Sequence, residues 1–170
     1  VMASGNLGLI TFPQQAGRLT SERIERLFPG LLDNLRSHPG IGFLLVRDDE
    51  DRPVVLGGSG SRRLDDGRLD GEDPLAPYGA HAATVVARTD RFPHCADIML
   101  NSTYWQDSDE VAAFEDLVGS HGGLGGDQCR PFVMAPQALR WPEGEVVGAE
   151  AVHGILRGWL SELGHDAYRD

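Results

Sequence analysis

Apolar residues along this chain fall into short blocks, separated by polar segments marked with glycine and proline. Residues 6–12 (NLGLITF) are apolar almost throughout and stop at Pro13, the pattern of a buried strand. Thr20 or Ser21 then caps a helix. Its first turns carry Glu22 and Glu25, favourable at the positive end of the dipole, and Ile24, Leu27 and Phe28 make its apolar side. Pro29-Gly30 restarts the chain as a second short helix with Leu31, Leu32 and Leu35 at helical spacing, and His38-Pro39-Gly40 stops it. Residues 41–46 (IGFLLV) and 53–56 (PVVL) predict two more strands around an acidic turn. Residues 57–77 are a long polar excursion with room for one small hairpin, and excursions of this length are usually functional or ordered against another element. Residues 79–88 predict a small-residue helix and residues 96–100 (ADIML) a fourth strand. A short helix starting at Asp107 or Ser108 would carry Val111, Phe114, Leu117 and Val118, and residues 131–135 (PFVMA) would be a fifth strand. Residues 148–163 close the chain as an amphipathic helix, with Val152, Ile155, Leu156, Trp159, Leu160 and Leu163 on one face.

Strands apolar on both sides and separated by helices imply an α/β fold: a mixed sheet with helices on both faces, in a single domain over residues 1–170. Net charge is −11, from 26 acidic and 15 basic residues, which argues against nucleic acid and anionic membrane surfaces as partners. Every basic residue is Arg, so Schiff-base chemistry, a catalytic lysine and a lysine-bearing phosphate loop are excluded. Cys95 and Cys129 make neither a disulfide framework nor a zinc-ligand spacing, and whether they pair is left open by the sequence. No apolar run reaches the length of a helical membrane span. The chain enters its first apolar block directly from Val1, and the expectation is a piece of something longer.

Residues 119–126 (GSHGGLGG) change this picture, because five of the eight are glycine. No helix or strand runs through such a stretch. Glycine at this density suits a backbone that takes positive φ or passes close to something. His121 stands in its middle, either as a nitrogen ligand or base presented where a metal or phosphate can approach, or as a surface side chain on a long turn. Anion binding by the loop's backbone N–H groups is a third reading that needs no metal.

The ordered series ADIML, SHGGLGG, PFVMAP and VVGAEAVHGILRGWL resembles the C-terminal half of the alkaline phosphatase superfamily, in particular its type I phosphodiesterase/nucleotide pyrophosphatase group. ASGNLGLITFP, DPLAP and GSHGGLGG are similar to actinobacterial membrane-anchored proteins that join membrane helices to a phosphodiesterase-like domain. The resemblance implies an α/β/α three-layer sandwich and a soluble domain of an integral membrane protein. It implies His121 as a ligand to zinc or another divalent metal in the intact parent, and Gly122 and Gly123 as backbone that lets the metal and a phosphate-ester substrate approach. Two such metals can clamp the oxygens of an in-line phosphoryl displacement. The superfamily's nucleophile, its first metal-binding Asp and its Asp-His pair have no counterpart here, so no catalytic residue is assigned and the segment alone is expected to be inactive. The missing N-terminal half would supply them. A segment carrying only part of a sheet is also expected to expose an edge and self-associate, giving a homodimer. The alternative is a non-catalytic α/β scaffold or partner-binding module on a degenerate phosphatase fold.

Other polar residues carry blander expectations. Asp97, a carboxylate in an apolar strand, either accepts hydrogen bonds at the sheet edge or supports the His121 site from behind. Residues 48–51 lack the alternation of a calcium loop and predict a solvated turn, as does Asp65-Asp66-Gly67. His94 and Cys95 are adjacent and so point to opposite sides of an extended chain.

Overall fold

The computed structural model describes residues 1–115, 122–165 and 167. They form two compact units, Val1–Pro131 and the segment from Phe132 onward. The first is built on a seven-stranded sheet made of β1 (Met2–Ser4), β2 (Leu7–Ile10), β3 (Ile41–Arg47), β4 (Pro53–Leu56), β5 (Gly60–Arg63), β6 (Leu69–Gly71) and β7 (Ile98–Ser102), in the order β1-β2-β7-β3-β4-β5-β6. The expected first strand is a hairpin: Gly5, at φ 59°, turns β1 back onto β2. The long polar excursion also joins the sheet, its β5 and β6 continuing the ladder from β4.

Helices α1 (Ser21–Leu27), α2 (Leu31–Arg36) and α3 (Ala82–Asp90) lie where the apolar blocks predict them. Thr20 caps α1, its side chain accepting from the Arg23 N–H, and Gly30 starts α2 from a left-handed conformation at φ 80°. Strand alternation divides the core between the sheet's two faces. On one, Ile24 and Leu32 of α1 and α2 pack with Leu44, Val46, Ile98 and Leu100. On the other, Ala82 and Val86 of α3 and Leu75 pack with Phe43, Leu45, Val55 and Met99. The unit is therefore an α/β fold with helices on both faces.

The sheet differs from the mixed one expected, because all its ladders are antiparallel. Strands β2 and β3 do run the same way, as a crossover through α1 and α2 requires. However, β7 is inserted between them in the opposite direction and bonds to both.

Two local expectations fail. The helix expected from residue 107 is a small hairpin instead, β8 (Tyr104–Trp105) against β9 (Glu110–Val111), with Asp109 at φ 54° in its turn. Leu117 and Val118 lie outside the described residues. Residues 131–135 form no strand, and Phe132 and Met134 are 86% and 87% exposed. The second unit holds α4 (Gly148–Glu162), where Trp159 is buried, tilts against Trp141, and donates its indole N–H to the Arg140 carbonyl at 2.7 Å. No helix among the described residues is long and apolar enough to cross a membrane.

Candidate functional site

β7 is the most enclosed strand of the sheet, with all five residues buried. Its carboxyl end carries Asn101, whose backbone pairs with Leu7 on one side and Phe43 on the other. A buried amide there needs partners, since an unsatisfied buried polar group costs roughly 1–3 kcal/mol. It finds them on the exit of the glycine loop. Asn101 Nδ2 donates to the Leu124 carbonyl (3.0 Å), and the Leu124 N–H donates to Asn101 Oδ1 (2.6 Å). One side-chain amide thus stands in for the neighbouring strand that a glycine-rich segment cannot provide.

Asn6, buried in the β1–β2 turn, reinforces the contact. Its Nδ2 donates to the same Leu124 carbonyl at 2.8 Å, and its Oδ1 accepts from Gln128 Nε2 at 3.1 Å. The Leu124 side chain packs against the Phe43–Met99 face of the core. Farther along, the Gly125 N–H donates to Cys129 Sγ at 3.1 Å. Both cysteines are free thiols, and burial pushes the Cys95 thiol above its ordinary value.

The glycines have a direct reason to be glycine. A Cβ on Gly123, at φ 90°, would sit 2.4 Å from Asn6 Oδ1, and one on Gly122 would sit 2.8 Å from Leu7 Cδ2. A Cβ on Gly125 would meet Val111 at 2.8 Å. At Gly122, Gly123 and Gly125 glycine is thus required by close approach to neighbouring residues, whereas Gly126 has room for a Cβ and takes φ 67°.

His121, implied as a ligand by the resemblance, lies outside the described residues. Gly122 and Gly123 lie on the sheet beside Leu7 and Asn6. Asp97 is elsewhere: four residues before Asn101, it lies about 13 Å along the chain direction from the loop's anchor. Both of its oxygens are engaged by backbone, accepting from the Phe12 N–H (2.7 Å) and the Leu19 N–H (2.6 Å). This is the hydrogen-bonding alternative of the two raised for it. Asn101 was missed in sequence, and Asn6 carried no weight there as a polar residue near a site. The signal was there in hindsight, an Asn at the polar end of each of two apolar strands.

A zinc centre needs three or four donors. Among the described residues no three His, Cys, Asp or Glu side chains gather into such a set, so by themselves they do not fit a zinc centre. Asp48 closes its own turn: its carboxylate accepts from the Glu50 and Arg52 N–H groups. Despite the upward push of burial, bonds from Arg52 hold that carboxyl below its ordinary value. Asp90 is buried between two guanidinium groups, held by Arg47 Nη2 and by Arg18 Nη1, each at 2.6 Å. Comparison with protein-family models, curated proteins and solved structures finds no match.

Proposed function

We propose that this chain is the C-terminal segment of a metal-dependent phosphoric-ester hydrolase of the phosphodiesterase type, from a membrane-anchored parent. His121 would be one ligand to zinc or a similar divalent metal. The nucleophile and the other ligands would come from outside these residues. One observation supports the reading beyond the resemblance: the stretch bearing His121 leads into a loop exit fastened at the carboxyl end of the interior strand β7. In open α/β sheets, ligand loops collect at an edge of the sheet where strands end. The metal, when bound, would polarise a phosphoryl oxygen; this chain's part is to hold one nitrogen donor in place.

The test is zinc content and hydrolysis of bis(4-nitrophenyl) phosphate by the full-length parent. His121→Ala is expected to lower both. Unchanged metal content and rate in that variant would remove the assignment.

A second reading, a non-catalytic α/β scaffold, is favoured by one specific observation. The Leu124 N–H and carbonyl and the Gly125 N–H are all taken by protein partners, so packing accounts for the loop exit. On that reading the parent binds no zinc through His121.

A further inference from the structure

We propose that residues 123–130 are a strap acting as an internal ligand, seated in a site at the carboxyl end of β7 that takes an extended peptide segment with a leucine-sized side chain. This site needs no metal and stands apart from the hydrolase reading. Two of the buried polar side chains, Asp90 and Asp97, serve their own neighbourhood: Asp90 neutralises Arg18 and Arg47, and Asp97 accepts from two backbone N–H groups. Asn6 and Asn101 instead read a peptide group from a distant part of the chain. Asn101 takes both the N–H and the carbonyl of Leu124 with one planar amide, and Asn6 donates a second bond to that carbonyl. An N–H and a carbonyl are what peptide residues in general present, so this pair does not depend on the strap's own sequence. Selectivity comes from the Leu124 side chain, which packs against the Phe43–Met99 face of the core. Main-chain bonds for affinity and a side-chain pocket for selectivity are how proteins bind extended peptides.

The strap is held as a ligand is held. Among the described residues, none from 124 to 130 shares a backbone–backbone hydrogen bond with a strand; the Cys129 N–H bonds to the Gly126 carbonyl and the Arg130 N–H to the Asp127 carbonyl. The hydrogen bonds that fasten Leu124 and Gln128 to the sheet run through side chains, those of Asn101 and Asn6 and that of Gln128, which donates to Asn6 Oδ1 at 3.1 Å. Glycine at positive φ flanks Leu124 on both sides, Gly123 at 90° and Gly125 at 116°, so the backbone swings at small cost. Segments held this way open before the fold does. Because the strap belongs to no ladder, its opening uncovers the two amides and the Leu124 pocket with the sheet intact. A partner's peptide then takes the vacated place, with an apparent affinity reduced by the fraction of chains that are open. The strap is thus an autoinhibitory contact that sets the threshold for binding.

The experiment uses the full-length protein and, as probe, the capped synthetic peptide Gly-Gly-Leu-Gly-Gly, the sequence of residues 122–126. Gly123→Ala sets a Cβ 2.4 Å from Asn6 Oδ1 at a positive φ and is expected to release the strap. Leu124→Ala empties the pocket and keeps the test open should Gly123→Ala fail to fold. Two quantities are read: hydrogen exchange across residues 123–130 and across β7, and peptide affinity by saturation-transfer NMR. Both variants are expected to exchange about tenfold or more faster in the strap, with β7 as in wild type, and to bind the peptide about tenfold or more tighter than wild type does. Replacing the peptide's leucine by alanine is expected to weaken binding by about tenfold or more, and adding Asn101→Ala to either variant to abolish it. Equal affinity in wild type and both variants, or binding to none of them, overturns the proposal. So does strap exchange that speeds up only together with β7, since the strap then opens with the fold and not before it.

Discussion

Asp97 commits both carboxylate oxygens to the connection between Phe12 and Leu19, one at each end. It is 3% exposed, so no water replaces a lost bond. Truncation leaves two backbone N–H groups without partners, each worth roughly 1–3 kcal/mol. Asp97→Ala is expected to lower unfolding free energy by about 3 kcal/mol in urea denaturation while leaving Leu124 amide exchange as it is in wild type. Acceleration at Leu124 would instead tie Asp97 to the loop. Asp90 follows the same logic. Its carboxylate compensates Arg18 and Arg47 at the end of β3, and two guanidinium atoms of Arg18, Nε and Nη2, are buried without a hydrogen-bond partner.

At the level of elements, β3 depends on one glycine. The register with β7 shifts between Ile41 and Phe43, which marks a bulge at Gly42. A Cβ there would lie 1.8 Å from Tyr78 Oη and 2.8 Å from the Ser102 carbonyl, the group that Tyr78 Oη donates to at 2.6 Å. Gly42→Ala must expel the phenol or open the bulge, and overpacking of this kind costs typically 1–3 kcal/mol. A fall of about that size in denaturant unfolding, with loss of the Tyr78 bond, is the expected outcome. Elements built from local pattern were legible in sequence. The cap at Thr20, the stop at His38-Pro39-Gly40 and the apolar blocks of β3, β4 and β7 each carry their own signal. The hairpin of β8 and β9 was not legible, because Val111 and Phe114 have helical spacing, whereas the Asp109 turn and pairing with Tyr104 decide the outcome. The loop's glycines were legible as close approach. What they approach was not, since Asn6 and Leu7 come from more than a hundred residues earlier in the chain.

Across the whole molecule, stability at alkaline pH carries the mark of Tyr78. Burial pushes its phenol up to about 12, against the lowering effect of hydrogen bonding with Asn101 and the Tyr104 backbone. The unfolded phenol ionises near its ordinary value of about 10. The folded state keeps its proton through a range in which the unfolded state has lost it. The contribution is therefore fully present below pH ~10 and is lost as pH rises toward about 12. Denaturant titrations across that window should show stability falling in wild type and a shallower fall in Tyr78→Phe. An equal slope in both would place the dependence elsewhere. The insertion of β7 between β2 and β3 also dictates an order of assembly. The β1–β2 hairpin and the β3–β6 meander are local and can form as soon as they are made, but they share no ladder with each other. The strand that joins them is the last of the seven to leave a ribosome. Until residue 102 has been made, neither half-sheet has the strand that completes its inner edge, and each leaves a row of backbone N–H and C=O groups without its ladder partner.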